Sequence, residues 1–223
     1  MKHSDIYIII PAYNEGQRLA GVLDKLSSYD YAVIVVDDGS VDDTRQVADK
    51  YQFAEVISHP INCGMGAALQ TGNEQALRRG ARYIVHFDAD GQMSAADISA
   101  MTDPLLRGQI DVTIGSRFKG HKINIPWFKR YAILPVARIL TWLMTGLWLS
   151  DAHNGFRALT AAVAQELNIQ QDRMAHHTEI TEKIKRYGWR WREVPVNITY
   201  HEFGQGVVGG FRILLDVFIS KLK

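Results

Sequence analysis

The chain has 223 residues, of which 47% are hydrophobic and 22% are charged, and its formal net charge is +1. This length and composition predict one folded domain with a substantial core. A nearly neutral chain lacks the broad basic surface of a nucleic-acid-binding protein, so nucleic acid is not an expected partner. Cys63 is the single cysteine, which excludes an intrachain disulfide and favours a reducing, cytoplasmic setting.

The first half of the chain alternates apolar strands with amphipathic helices. Strands are predicted at residues 5–10, 32–36, 54–57, 83–87 and 111–114. Helices are predicted from about 16 to 26, at 44–50, from the Gly64-Met65-Gly66 turn to about 79, and at 97–106. The alternation indicates an α/β fold, in which a mostly parallel sheet carries helices on both faces and binds ligands beyond the carboxyl ends of its strands.

The second half begins with a basic loop and continues into an apolar, aromatic stretch that predicts a long helix over 132–149. Pro135 and Arg138 within this stretch disfavour a membrane span. A short strand at 153–159, a helix at 177–187, a strand at 191–200 and an amphipathic terminal helix at 211–222 are predicted to follow. The first residues lead straight into a strand without a signal-peptide pattern, which again predicts a cytoplasmic protein.

Polar residues cluster where four predicted strands end, at residues 11–15, 37–40, 62–66 and 88–92. Asp88 and Asp90 are two residues apart, so on an extended chain both carboxylates point to the same side and can share a cation. Mg²⁺ and Mn²⁺ take one or two carboxylates together with substrate phosphate oxygens, and Gln92 offers a further oxygen ligand. The alternative interpretations are that Asp37 and Asp38 only cap the next helix and that Gln92 only begins one.

The order of these motifs resembles that of family 2 glycosyltransferases with the GT-A fold, especially the dolichol- and polyprenyl-phosphate sugar synthases such as mannose synthases. The resemblance covers the chain from Ile8 to about Val196. It is carried by Pro11-Ala12-Tyr13-Asn14-Glu15, by Val36-Asp37-Asp38-Gly39-Ser40 with Asp42, by Asp88-Ala89-Asp90-Gly91-Gln92, by Gly115-Ser116-Arg117 and by Asn154-Gly155-Phe156-Arg157. One departure is Met93, because many relatives carry His at that position.

The resemblance implies a nucleotide-sugar donor and assigns roles to individual residues. The nucleotide-binding residues would be Pro11, Tyr13, Glu15, Asp37, Asp38, Asp42, Gly64 and Asp88. Asp90 and Gln92 would hold Mg²⁺ or Mn²⁺, and Arg117 would meet donor or acceptor phosphates. Whether the donor carries GDP or UDP stays open. In terms of organisation, a single domain over 1–223 would divide into a nucleotide-sugar-binding half at 1–115, an acceptor-side half at 116–200 and a C-terminal helix at 201–223.

The acceptor is predicted from the basic run that precedes the apolar stretch. Arg117, Arg130 and Arg138 are the candidate ligands of an acceptor phosphate, and Lys119, Lys122 and Lys129 add positive charge. Trp127, Phe128, Trp142 and Trp148 suit the membrane interface. We therefore expect a lipid-phosphate acceptor and peripheral contact with the cytoplasmic face of the membrane. A membrane-anchored partner and a homo-oligomer that covers the same apolar helix are alternatives.

Glu179 distinguishes the acceptor classes. A hydroxyl acceptor needs a general base to take its proton, whereas a lipid phosphate is already anionic near neutral pH. The predicted activity is an inverting hexosyl transfer to a polyprenyl or dolichyl phosphate, with Asp90, Arg117 and Glu179 as the candidate catalytic residues. The alternatives are transfer to a saccharide hydroxyl in cell-surface polysaccharide synthesis, with Glu179 as base, and a noncatalytic nucleotide-sugar-binding subunit.

Overall fold

The computed structural model of the protein describes residues 5–119, 134–151, 154–172 and 175–199. Its strands are β1 (Ile6–Ala12), β2 (Ala32–Asp37), β3 (Ala54–Ser58), β4 (Tyr83–His86), β5 (Val112–Ser116), β6 (Arg157–Thr160) and β7 (Trp191–Pro195). They form one sheet in the order β3-β2-β1-β4-β6-β5-β7. All the pairings are parallel except those of β6, which runs antiparallel to both β4 and β5. The predicted mostly parallel sheet is confirmed, and the direction of β6 was not predicted.

The helices are α1 (Gly16–Leu26), α2 (Thr44–Ala48), α3 (Met65–Arg78), α4 (Ile98–Leu106), α5 (Leu134–Thr145), α6 (Ala161–Leu167) and α7 (Ala175–Tyr187). Helix α6 was not predicted. The N-terminus of α6 is nonetheless capped by the residue that precedes it, because the Thr160 hydroxyl accepts the Val163 N–H. Helix α5 ends four residues earlier than predicted, since Gly146 follows with a φ of +71°. The predicted terminal helix at 211–222 lies outside the described residues.

The sheet is covered on both faces, and β1 shows how the chain achieves this. Ile8 and Ile10 pack with α1, α2 and α4, whereas Tyr7 and Ile9 pack with α3, α6 and α7. Successive side chains of a strand point to opposite faces, so a nearly continuous apolar strand supplies both halves of the core. The predicted placement of helices on both faces is confirmed. Within the described ranges, none of the helices combines the length and the apolar character needed to cross a membrane.

Gly72 allows α3 to lie close to the centre of the sheet. A Cβ atom at this position would stand 2.2 Å from Cγ2 of Ile9 and 3.4 Å from Cγ2 of Val36. This close packing helps to position α3, whose first residues lie at the edge of the sheet where polar residues collect.

We expect Gly72→Ala to lower the free energy of unfolding by about 1–3 kcal/mol, because the added methyl group overpacks the core. Gly21→Ala is the matched control: position 21 is on the exposed face of α1 and a Cβ atom there meets nothing within 4 Å, so the change should stabilise the protein by about 0.5–1 kcal/mol. Urea denaturation of the two variants measures both effects. Equal changes in the two variants would contradict the close packing at Gly72.

Candidate active site

A pocket of about 380 Å³ lies at the carboxyl edge of the sheet, where β1, β2 and β4 end. The N-terminal part of α3 and Asp172, which precedes α7, complete its wall. The pocket is rich in carboxylates. Its lining consists of Pro11, Ala12, Tyr13, Glu15, Asp38, Asn62, Gly64, Met65, Ala68, Asp88, Ala89, Asp90 and Asp172. Six of the eight predicted nucleotide-binding residues are therefore brought together, and Asp37 and Asp42 lie outside this lining.

Asp38 fixes the loop that leads into α3. Its buried carboxylate accepts the N–H groups of Cys63 at 2.9 Å and Gly64 at 2.7 Å, and it bonds Nδ1 of His59 at 2.7 Å. The other ring nitrogen of His59 bonds the Thr71 hydroxyl at 2.9 Å. Asp38 thus lines the pocket and also places Gly64 within it.

Asp37 and Asp42 organise turns beside the pocket. Oδ1 of Asp37 accepts the Ser40 N–H at 3.1 Å. Asp42 accepts the N–H groups of Gly16 at 3.2 Å and Thr44 at 2.9 Å, so it contacts the first residues of both α1 and α2. The hydrogen bond from the Thr44 hydroxyl, followed by those backbone bonds, lowers the pKa of Asp42. The capping alternative was stated for Asp37 and Asp38, but it is Asp42 that accepts the first N–H group of α2, whereas Asp37 bonds the turn at Ser40.

Asp88 and Asp90 stand between the large pocket and a smaller one of about 90 Å³, which they also line. Asp90 accepts the Gln92 N–H at 2.9 Å. Asp88 packs against Gly155, where a Cβ atom would lie 2.7 Å from its Oδ2. Burial, and then the negative charge of Asp90, raise the pKa of Asp88 to about 7. Nearby positive groups of the protein therefore compensate the negative charge of Asp88 and Asp90 only partly.

Arg157 on β6 supplies positive charge that acts on Asp88. Its side chain is almost completely buried, and its Nη2 lies 2.8 Å from Nδ1 of His177. The charge of Arg157 opposes the rise in the pKa of Asp88, and burial lowers the pKa of Arg157 itself to about 10. Arg157 belongs to a motif that the sequence singled out without assigning it a role.

Arg117 lines the smaller pocket, together with Asp88, Asp90, Gln92, Met93, Asn154, Gly155 and Ile198. Its guanidinium makes a bidentate pair with Asp151, with both nitrogen–oxygen distances at 2.7 Å. Glu193 holds the adjoining backbone by accepting the N–H groups of Ser150 at 2.6 Å and Asp151 at 3.2 Å. Glu193 on β7 thus holds residues 150–151 in place, and Asp151 in turn orients Arg117.

Arg138 lies near Arg117. The guanidinium carbons of both arginines are 5.6 Å from the centroid of the Phe118 ring, and Nε of Arg138 donates to the Ser150 carbonyl at 3.3 Å. Two of the three predicted acceptor-phosphate arginines are therefore neighbours. Arg130, the third, lies outside the described residues.

Glu179 lines neither pocket. Its carboxylate accepts the N–H groups of Gln170 at 3.1 Å and Gln171 at 2.7 Å, and it pairs with Lys183 at 2.7 Å. These bonds hold the segment between α6 and α7 in place. The structure does not bring Glu179 together with Asp90 and Arg117.

Residues 7–167 match the family described as glycosyl transferase family 2. The chain belongs to this family. The resemblance read from its motifs is thus confirmed.

Two relatives show how far the similarity of this glycosyltransferase extends. The chain is 30% identical to the UDP-N-acetylglucosamine–dolichyl-phosphate N-acetylglucosaminyltransferase of Methanococcus voltae, and the match covers 97% of this chain and 96% of the relative. It is 29% identical to the polyprenol monophosphomannose synthase of Mycolicibacterium smegmatis, over 95% of this chain and 83% of that one.

Among solved structures, the glucosyl-3-phosphoglycerate synthase of Mycobacterium tuberculosis, in complex with Mn²⁺ and UDP, matches with a TM-score of 0.70 and 19% identity. That match covers 97% of this chain and 78% of the other. It confirms the predicted GT-A fold.

Three carboxylates of this glycosyltransferase were not found from the sequence: Asp151, Asp172 and Glu193. Each contacts residues far along the chain, as in the pair of Arg117 and Asp151, which are 34 residues apart. None stands in a motif: Asp151 and Asp172 fall between predicted elements and Glu193 falls within a predicted strand, so the sequence offered no stronger signal. Only the distances in the folded chain show which residues they contact.

We expect Asp38→Ala to lower the free energy of unfolding by about 2–3 kcal/mol, because it leaves the buried Gly64 N–H and the partly buried Cys63 N–H without an acceptor. It should also weaken binding of a nucleoside diphosphate, since Gly64 loses its anchor. Chemical denaturation and calorimetry measure the two effects. Asp103→Ala removes an exposed carboxylate of α4 and serves as the control. An Asp38 variant as stable as this control would contradict the anchoring role.

Proposed function

We propose that this enzyme transfers a sugar, with inversion at the anomeric carbon, from a nucleoside-diphosphate sugar to a polyprenyl or dolichyl phosphate. One observation carries the proposal: Asp88 and Asp90 line both pockets, with the nucleotide motifs on one side and Arg117 on the other. Donor and acceptor would meet at this shared wall. The two relatives named above act on dolichyl phosphate or make polyprenol monophosphomannose, which supports the choice of acceptor.

The larger pocket takes the donor in this proposal. Pro11, near the end of β1, and Tyr13 and Glu15, which follow it, would contact the nucleotide together with Asp38, Gly64 and Asp88. Asp37 and Asp42 would contribute through the turns that they hold. The parallel strands β1, β2 and β4 all direct their carboxyl ends to this pocket, which is where open α/β sheets bind nucleotides.

A divalent cation fits the wall between the pockets. Glu15, Asp38, Asp88, Asp90 and Asp172 line one pocket, and a diphosphate could enter it only if their negative charge were compensated. Asp90 and Gln92, with Asp88 beside them, offer the oxygen ligands that Mg²⁺ and Mn²⁺ prefer. When bound, the ion would neutralise the diphosphate leaving group. The Mn²⁺ in the complex of the M. tuberculosis synthase is consistent with this choice.

A second group of potential metal ligands fits less well. Oxygen, nitrogen and sulfur atoms of Asp38, His59 and Cys63 lie within 4.8 Å of one another. The carboxylate and both ring nitrogens already bond protein groups, however, so a metal ion would break the contacts that place Gly64. We therefore assign the cation to Asp90 and Gln92.

The smaller pocket takes the acceptor phosphate. Arg117 and Arg138 supply positive charge beside it, and Asp151 orients Arg117. An oxygen of the acceptor phosphate would attack the anomeric carbon from the face opposite the diphosphate, whose bond to that carbon breaks as the new bond forms. The attacking oxygen is already anionic and needs no base. The bonds of Glu179 to Lys183 and to the 170–171 backbone agree with an acceptor of this kind.

Helix α5 provides a surface for the lipid. Ile139, Trp142, Leu143 and Trp148 are 46–66% exposed, and the two tryptophan rings are 6.5 Å apart. Such aromatic and aliphatic side chains insert at the interface between lipid and water. Because Arg138 lies on the same helix, membrane contact would bring the lipid headgroup close to the smaller pocket. We propose peripheral docking at the cytoplasmic face.

We expect Asp90→Asn to reduce metal-dependent transfer by about a thousandfold or more while the protein stays folded, since several kcal/mol of leaving-group stabilisation would be lost. The assay combines Mg²⁺ or Mn²⁺ with GDP- and UDP-sugars and short polyprenyl phosphates, and it follows released nucleoside diphosphate together with lipid product. Near-normal turnover at saturating donor would refute the metal assignment. Transfer to a soluble saccharide that disappears in Glu179→Gln would favour the hydroxyl-acceptor alternative.

We expect the double variant Trp142→Ala, Leu143→Ala to float less with liposomes containing anionic lipid, because it removes apolar side chains from the docking face. Phe53→Ala removes an exposed aromatic ring before β3 and is the control. Binding should also fall with increasing salt, since headgroup charges contribute. Unchanged flotation of the double variant would contradict docking through α5. Self-association of the native protein that the double variant abolishes would instead indicate a homodimer.

A further inference from the structure

Asp172 has a buried carboxylate oxygen that no described residue satisfies. Its side chain lines the larger pocket, and no hydrogen-bond donor of the described residues reaches its Oδ1. Leaving a buried polar atom without a partner is costly, so such atoms are rare in native proteins. The Asp172 carboxylate therefore retains hydrogen-bonding capacity on a pocket wall, where a donor group of a ligand can use it.

The position of Asp172 is fixed by the segment in which it lies, between α6 and α7. The Ile169 N–H donates to Oε1 of Gln70 on α3 at 2.8 Å. Glu179 accepts the next two backbone N–H groups, and Nζ of Lys183 donates to the Leu167 and Asn168 carbonyls at 2.7 and 2.6 Å. The backbone that leads to Asp172 is thus held beside the pocket before any ligand binds, which reduces the entropy lost on binding.

Two glycines at the start of α3 make room for this segment. A Cβ atom on Gly64 would lie 2.0 Å from Oδ1 of Asp172, and one on Gly66 would lie 2.0 Å from the Gln171 carbonyl oxygen. Gly64 also has a φ of +95°, which side-chain-bearing residues rarely adopt. The Asp172 carboxylate therefore occupies the space that a side chain at position 64 would fill.

The part of the pocket where Asp172 lies indicates which portion of the donor it contacts. Asp88 and Asp90 line both pockets, and they border the diphosphate in the proposed function. Asp172 lines only the larger pocket and stands against Gly64, on the loop that Asp38 anchors. This places it toward the nucleoside.

We propose that Asp172 recognises the nucleoside of the donor by accepting hydrogen bonds from N–H or O–H groups of the base or the ribose. The inference rests on the proposed function and deepens it. A carboxylate only accepts hydrogen bonds, so it selects for groups that donate them. It also disfavours a base edge that presents only carbonyl oxygens at this place.

The experiment is calorimetric titration of native protein, Asp172→Ala and Asp172→Asn with GDP, UDP and inorganic pyrophosphate in the presence of Mn²⁺. For the nucleoside diphosphate that the native protein binds more tightly, Asp172→Ala should weaken binding by about tenfold or more. Pyrophosphate binding should stay unchanged. If the partner is the base, Asp172→Asn alters the ratio of GDP to UDP affinity, because an amide donates as well as accepts. If it is the ribose, both affinities fall by the same factor.

Asp103→Asn is the control for the loss of one negative charge, and it should change none of these affinities. A carboxylate that served only to stabilise the start of α3 would give a lower Tm with unchanged nucleoside diphosphate binding, and that result overturns the proposal. Parallel losses for nucleoside diphosphates and pyrophosphate overturn it too, since they indicate a general change in the pocket. Absence of any nucleotide binding by native protein refutes the proposed function itself, whereas normal binding by Asp172→Ala refutes this inference alone.

Discussion

Five carboxylates face one pocket at the carboxyl edge of the sheet, and their mutual repulsion is the constraint around which the site is arranged: Glu15, Asp38, Asp88, Asp90 and Asp172. The protein compensates three of them, each in a different way. Backbone N–H groups satisfy Asp38, Arg18 pairs with Glu15, and buried Arg157 opposes the charge of Asp88. The charge that remains suits a diphosphate carried with a divalent cation, and it would repel the same diphosphate alone.

The reversed strand β6 connects the two halves of the site. Because β6 runs antiparallel to β4 and β5, its first residues lie where its neighbours end. Asn154 and Gly155 therefore reach the smaller pocket from the opposite direction to Asp88, and the missing side chain of Gly155 allows Asp88 to pack against it. A parallel strand at this place would have carried the same motif to the far edge of the sheet.

The two pockets differ in charge, and this difference distinguishes one side of the site from the other. Carboxylates dominate the larger pocket, whereas the smaller pocket adds Arg117, with Arg138 nearby across the Phe118 ring. Asp151 holds Arg117 without enclosing it, since the Arg117 side chain remains 26% exposed. In the proposed function, this difference places the cation-bound diphosphate and the acceptor phosphate on opposite sides of Asp88 and Asp90.

The sequence by itself determined the features that depend on short stretches of chain. Apolar runs defined the strands, and polar residues after parallel strands had to meet at one edge, so the grouping of Tyr13, Asp38, Asp88 and Asp90 followed from local pattern and topology. Only the tertiary structure decided which acidic groups are already bonded and which face a ligand. Glu179 holds a loop in place, whereas Asp172 lines the pocket and its buried Oδ1 has no partner among the described residues. The physical reason is that a hydrogen bond depends on ångström-scale distances between segments far apart in the chain, such as Ile169 and Gln70, and no local pattern encodes those distances.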